Sequence, residues 1–388
     1  MKSQKSILFV GNCYYNHYYL ARELKKLGWR AHVLSTDLTS DNEMYYHGHD
    51  FARNKPTLFG MLKDLVFFIR SLFKYKIFHF SNMWHLQFPP FNSIPFFYKS
   101  FGKSFEINIL KIFGKKVFYT NNGCMDGVLQ STFSKWKPHS VCNDCAWKEN
   151  PNVCSDGRNQ EWGQLRNRYA DYIGLLGGNR ADFNDASHVH EAPWMYSLDK
   201  NFWFPEILVP SNYKLPYNPN TIKVFHSVGH YDIRNHGEKK ATIKSTEIWI
   251  EVVNKLKSEG LDIELIFFKD VPNKQIKYYQ AQADVFVDML TFGFFGANIR
   301  EAMMLGKPSI CFLRPEWLES MSNEIPEYVR ELPVVSAMPD TAYETLKDLV
   351  LNEDKRLEIG RRMRRFGLKW HASDVAATKA NEIYSSYL

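Results

Sequence analysis

Twice along the chain, short apolar runs alternate with longer segments of helical periodicity, and that alternation admits few folds. SILFV at 6–10 is followed by a Gly-Asn turn, by YYLARELKKL ending at Gly28, and by RAHVLST. This is the strand, helix, strand opening of a parallel sheet. KIFHF (76–80) and KVFYT (116–120) continue the strand pattern, each after a basic, Phe-rich segment that predicts a helix. PEILVPSNYKLPYNPNT, at 205–221, carries four prolines and little periodicity, as a linker or domain edge does. The pattern then restarts with strands at IKVFHSVG (222–229), IELIFF (263–268), DVFVDM (284–289), PSICFL (308–313) and PVVSA (333–337), and a helix at 246–260. Three helical segments close the chain, the last over 373–387. The expected fold is α/β, two tandem Rossmann-like domains. Residues 1–205 form the N-terminal domain, 206–370 the C-terminal one, and 371–388 a helix able to cross back to the first. A ligand is expected at the strand ends.

A length of 388 residues suits two domains. The net charge of +7 permits nucleic acid, anionic lipid or phosphorylated small molecules as partners and does not choose among them. Its location says more. Residues 51–118 hold eleven Lys/Arg against two acids, and fifteen of the 29 phenylalanines. Basic residues interleaved with Phe describe an interfacial face that could touch an anionic membrane surface, although many of these rings must be core. The opening MKSQKSILFVGNC lacks the apolar core of a signal peptide, and no run approaches the roughly 18 apolar residues of a membrane span. The expectation is a cytoplasmic protein, peripheral at the inner membrane face.

Between the strand at 222–229 and its helix lies GHYDIRNHGEKKATIKST, with Gly229, Arg234 and Lys244. Glycine lets backbone amides approach an anion, and a following helix N-terminus adds about half a positive charge, so this is either a phosphate site or a solvated basic loop. Neither a Walker motif nor GxGxxG is present to decide. The stretch 269–312 contains Ala283-Asp284, then Gly296, then Glu301-Ala302-Met303 and Gly306-Lys307-Pro308. This resembles the nucleotide-binding domain of GT-B glycosyltransferases of the family-4, retaining type. The resemblance is good over roughly 220–370, weaker over 1–120 and absent over about 124–200.

The resemblance implies a nucleotide-diphosphate-sugar donor. Its diphosphate would rest on Gly229, Arg234 and Lys244, its ribose on Glu301, its base near Val271 and Pro272, and its sugar against a loop that includes Gly293 and Gly296. A lysine and helix-terminal amides aimed at a departing diphosphate stabilise its charge without a metal, so no catalytic metal is expected. The chain departs from the family at three places. Gly293 stands where a glutamate touches the sugar, His230 where a basic residue follows a glycine, and Asn122 where a histidine follows a strand. Candidate catalytic groups in the first half are therefore His79, by its resemblance to a strand-end histidine, Asn122 through its amide, and Asp126 as acid or base.

Cys124, Cys142, Cys145 and Cys154 form C-x17-C-x2-C-x8-C in a loop-rich segment at 121–160, a cysteine-rich insertion in the first domain. Four thiols so spaced suit a closed tetrahedral zinc, a structural site with no open position; reduced thiols are the alternative. The sequence thus reads as a hexosyltransferase-type glycosyltransferase acting on a glycan or lipid-linked acceptor, in surface glycan or glycoconjugate synthesis. Nucleic acid is not an expected partner. The competing readings are a nucleotide-sugar epimerase on the same scaffold and a zinc-containing nucleic-acid-binding protein.

Overall fold

The computed structural model describes residues 5–11, 14–36, 46–55, 57–81, 99–100, 102, 104–121, 123–124, 126–145, 147–148, 150–176, 180–216, 218, 220–229, 231–234 and 243–388. The chain divides into two compact units. The first comprises Met1–Leu129, Asp156–Ser197 and Ser373–Leu388; the second comprises Gln130–Ser155 and Leu198–Ala372. The segment bearing Cys142, Cys145 and Cys154 therefore groups with the second unit, and the last helix, Ser373–Ser386, with the first.

A seven-stranded sheet organises the first unit: β1 (Ser6–Val10), β2 (Arg30–Ser35), β3 (Phe51–Ala52), β4 (Ile77–Ser81), β5 (Lys116–Thr120), β6 (Tyr172–Leu175) and β7 (Val189–Glu191). Their spatial order is β3-β2-β1-β4-β5-β6-β7, every neighbouring pair parallel. All five residues of β1 and of β4 are buried, because helices cover both faces of a parallel sheet and leave no side for polar alternation. Helix Asn16–Lys26 buries Tyr19, Leu20 and Leu24 and keeps Lys25 and Lys26 in its last turn, where the helix dipole favours cations. The closing helix is fastened by Asn381, whose Oδ1 accepts from Lys5 Nζ at 2.8 Å and from Trp29 Nε1 at 2.9 Å.

The second unit carries five parallel strands, β8 (Ile222–Val228), β9 (Ile263–Lys269), β10 (Val285–Val287), β11 (Ser309–Cys311) and β12 (Val335–Ser336), ordered β12-β11-β10-β8-β9. Each sheet is doubly wound. The order reverses between β1 and β4 in the first and between β8 and β10 in the second, and ligands of such sheets bind beyond the strand carboxyl ends at that reversal. Helix Ala297–Leu305 follows β10 and stops at Gly306, whose φ of +67° is the left-handed stop that glycine takes without strain. Helix Glu353–Trp370 lies against it at glycines: a Cβ on Gly360 would meet the Gly306 carbonyl oxygen at 2.5 Å, and one on Gly367 would meet Met303 Cβ at 3.0 Å. Among the described residues no helix is long and apolar enough to cross a membrane.

Candidate functional site at the carboxyl edge of the second sheet

The loops that leave β8, β9, β10 and β11 at their carboxyl ends carry most of the residues expected to hold a donor. Gly229 follows β8 directly, Val271 and Pro272 follow β9 and are half-buried, and Asp288 follows β10. Arg234 closes the short helix Tyr231–Arg234.

Lys244 reaches this edge from the turn before helix Thr246–Ser258, and its Nζ lies 2.8 Å from Asp288 Oδ1. The ammonium also borders Gly296, the residue that begins helix Ala297–Leu305: a Cβ there would stand 3.7 Å from Lys244 Nζ. Cation and helix N-terminus thus share one spot, the pairing that favours an anion. Asp288 is fully buried, and among the described residues its second oxygen, Oδ2, has no hydrogen-bond partner. The lysine turn is fixed from below. Ser245 sits at φ +57° and its Oγ accepts the Leu290 N–H at 2.9 Å, while Trp249 Nε1 donates to the Asp288 carbonyl at 2.7 Å. His226 is buried beneath, linked through Nδ1 to the Val287 carbonyl at 3.0 Å and through Nε2 to Thr246 Oγ1 at 2.9 Å. Burial holds its pKa down, to about 4.

Glu301 lies in the second turn of helix Ala297–Leu305 and is 1 % exposed. Asn273 Nδ2 donates to its Oε1 at 2.9 Å and Gln280 Nε2 to its Oε2 at 2.6 Å, so two amides of helix Asn273–Ala281 orient the carboxylate. Asn298 ties the start of the same helix to β8 through Asn298 Nδ2 and the Ser227 carbonyl, at 3.1 Å.

Loop 291–296 shows why glutamate is absent at position 293. Gly293 has φ +98°, and a Cβ there would meet Arg314 Cβ at 3.0 Å and Nε at 3.5 Å. The Arg314 N–H donates to the Gly293 carbonyl at 2.8 Å. Any side chain at 293 would face both a strained backbone and the arginine. The guanidinium lies over the Trp136 ring, 3.3 Å from its centroid, and Trp136 meets Phe133, which in turn contacts Phe292. Segment 130–155 is therefore part of the surroundings of this loop. Sequence reasoning passed over Arg314, Trp136, Asn273 and Gln280. For Arg314 a signal existed: it is the first charge after the run PSICFL, the strand-end position where such sheets act.

In the first unit His79 and Asp126 each sit in a hydrogen-bond network of their own side-chain neighbours. His79 lies inside β4 and is fully buried, with Nδ1 2.5 Å from Tyr384 Oη and Nε2 2.5 Å from Thr120 Oγ1. Its pKa is depressed well below the usual histidine range, first by burial and then by His17, whose ring centroid is 5.1 Å away. Asp126 is buried and accepts from Tyr119 Oη at 2.7 Å, Trp162 Nε1 at 3.0 Å and Arg166 Nη1 at 3.2 Å. Asn122 lies outside the described residues.

The expected zinc centre does not assemble. Among the described residues no group of three or more His, Cys, Asp or Glu side chains converges as a metal site. Among the described residues no disulfide joins Cys124, Cys142, Cys145 and Cys154. Burial raises the Cys142 pKa, and Cys154 Sγ lies 3.2 Å from Gln130 Nε2. Hydrogen bonds hold this segment instead: Gln130 Nε2 donates to the Lys148 carbonyl at 2.7 Å, and Ser140 Oγ to the Phe133 carbonyl at 2.8 Å.

No protein-family model matches the chain, and no curated protein matches it in sequence. Solved structures do match it. A glycosyltransferase from Rickettsia africae aligns at 13 % identity and TM-score 0.57, covering 99 % of both chains. The sucrose-phosphate synthase of Thermosynechococcus elongatus aligns at 10 % and 0.56, again over 99 % of each. Anabaena HepE, solved in complex with UDP-glucose, aligns at 14 % and 0.53, over 98 % of this chain and 99 % of its own. At such identities the likeness carries the fold, and the fold of this chain is the GT-B glycosyltransferase fold, two Rossmann-like α/β units.

Proposed function

We propose that the chain is a glycosyltransferase that takes a nucleotide-diphosphate-sugar donor at the carboxyl edge of its second sheet and passes the sugar to an acceptor bound by the first unit. The observation that carries this reading is the meeting of Lys244 Nζ with Gly296 at the start of helix Ala297–Leu305, the helix that also carries buried Glu301. In this reading Lys244 and the helix amides take the charge that develops on the departing diphosphate. Glu301, held by Asn273 and Gln280, accepts the ribose hydroxyls. Gly229 and Arg234 complete the phosphate contacts, and Val271 and Pro272 border the base. The UDP-glucose bound to HepE supports this class of donor. A hexosyl transfer with retained configuration is what the family resemblance implies.

The test is a thermal-shift panel of UDP-, GDP-, ADP- and CMP-sugars. One nucleotide class is expected to raise Tm, and Glu301→Ala to abolish that shift; indifference to all four would overturn the reading.

The acceptor is proposed to be a glycan or lipid-linked substrate of surface glycan synthesis, met at an anionic membrane face. Helix Leu58–Lys74 supports this, exposing Phe59, Leu62, Val66, Ile69 and Phe73 at helical spacing, with Lys63, Arg70 and Lys74 on the same helix. Sedimentation with anionic liposomes at low salt is expected, and its absence would remove the membrane part alone.

A further inference from the structure

We propose that Arg314 and loop 291–296 form an oxyanion site for a phosphate or carboxylate of the ligand held by the second unit. The proposal takes that ligand to be the nucleotide sugar proposed above.

Arg314 is 5 % exposed, yet among the described residues its guanidinium makes no ion pair and no hydrogen bond. Its one close partner is the Trp136 ring. The field of Glu316 reaches it, but that residue is exposed and forms no ion pair with it. A buried charge without a counter-charge is unfavourable, and an aromatic face offsets only part of the loss. Ordinarily such a group is neutralised, paired or used.

The surroundings offer donors. Thr291 Oγ1 opens the loop, and Trp317 Nε1 lies one turn along the helix that Arg314 begins; both atoms are buried and, among the described residues, have no hydrogen-bond partner. Glycine stands where each cation meets the loop, Gly293 against Arg314 and Gly296 against Lys244. No side chain comes between the loop backbone and either charge at these points. Unlike Lys244, which is paired with Asp288, Arg314 has its full fork of five N–H donors unused. A guanidinium, a hydroxyl and an indole N–H call for a ligand group that accepts on several oxygens and carries negative charge. Two groups of a nucleotide sugar meet that description, the diphosphate and a carboxylate on the sugar.

Isothermal titration of the full-length protein with inorganic pyrophosphate, UDP-glucose and UDP-glucuronate decides the matter, for wild type, Arg314→Gln, Arg314→Lys and Trp136→Ala. Arg314→Gln is expected to weaken at least one of these probes by about ten-fold or more, and Arg314→Lys to restore only part, because an ammonium lacks the bidentate fork. Trp136→Ala, which keeps the charge and removes its support, is expected to weaken the same probe less. Losses on pyrophosphate and UDP-glucose together identify the diphosphate; a loss confined to UDP-glucuronate identifies the sugar carboxylate. Thermal unfolding guards against misfolding. If the cation is held for a ligand, Arg314→Gln leaves the ligand-free Tm unchanged or raised while erasing the gain from the probe. Arg314→Gln that binds every probe like wild type overturns the inference and leaves the transferase reading standing. Pyrophosphate binding that needs Arg314 in a protein indifferent to all nucleotide sugars does the reverse, and a wild type that binds none of the probes at millimolar concentration overturns both.

Discussion

Each unit contains a buried aspartate in an ion pair, and the two pairs are built to different standards. In the first unit Asp126 meets Arg166, both almost wholly shielded from solvent, and every neighbour is matched to them. Tyr119 and Trp162 supply further hydrogen bonds to the carboxylate, while Arg166 donates onward to Asn184 Oδ1 at 2.8 Å and to the Phe183 carbonyl at 3.3 Å. In the second unit Asp288 meets Lys244 through one oxygen, and the other is buried with no partner among the described residues. A saturated pair has no remaining valence and can only fasten the fold. A half-satisfied pair beside a helix N-terminus keeps capacity for something that arrives, and polar groups left unmatched in a native protein ask for such an account.

Breaking the saturated pair should cost most. Asp126→Ala leaves Arg166 charged and buried, and urea unfolding should show a loss of about 3–5 kcal/mol. Lys244→Ala strands Asp288 and should approach that loss. The double variant Lys244→Ala, Asp288→Asn removes the stranded charge and should recover most of it, yet still lose at least about ten-fold in nucleotide affinity. A double variant no more stable than the single would erase the distinction between the pairs. Acid separates the units more gently. Burial sets the His226 pKa at about 4 in the folded chain, below its unfolded value of 6.5, so its contribution is intact above pH 6.5 and is lost as pH falls toward 4. Between pH 7 and 5 this amounts to about 2 kcal/mol, visible as a shift of the urea midpoint that His226→Gln should not share. In the first unit His17, also near 4, and His79, held well below the usual range by burial, act in the same sense, while Glu106 opposes them: burial raises its pKa to about 8, so it regains stability as pH falls. Smallest should be Tyr384→Phe, which removes one hydrogen bond from His79, about 1 kcal/mol, with nucleotide binding unchanged.

Most of the fold was legible because parallel strands covered on both faces are written as unbroken apolar runs. SILFV, KVFYT and IKVFHSV coincide with β1, β5 and β8. What escaped notice was β6, β7 and helix Asp156–Tyr169, where the covering groups are polar. Arg166 and Asn159 are buried in that helix, so its apolar face is broken at the positions that periodicity would use. Part of the candidate site was legible too, since Gly229 directly follows β8 and Gly296 directly precedes the helix that carries Glu301. The zinc was misread because thiol spacing along a chain does not specify convergence in space. The contact of Arg314 with Trp136 was beyond spacing altogether, since it joins residues 178 positions apart; Arg314 alone was marked, by its place at a strand end and by the glycine at 293 that makes room for it.

The glycines of helix Glu353–Trp370 bear on how the second unit can respond to a ligand. At Gly360 and Gly367 this helix approaches Ala297–Leu305 so closely that not even a methyl group fits at the first and only a crowded one at the second. Surfaces meeting at backbone distance have no side chains to repack, so neither sliding nor rotation of one helix against the other is cheap. The helix that carries Glu301 therefore serves as a fixed wall. Whatever rearrangement accompanies binding must be borne by the turns on its near side, chiefly 291–296 and 243–245, and amide hydrogen exchange should find protection changing there while the helix itself stays silent.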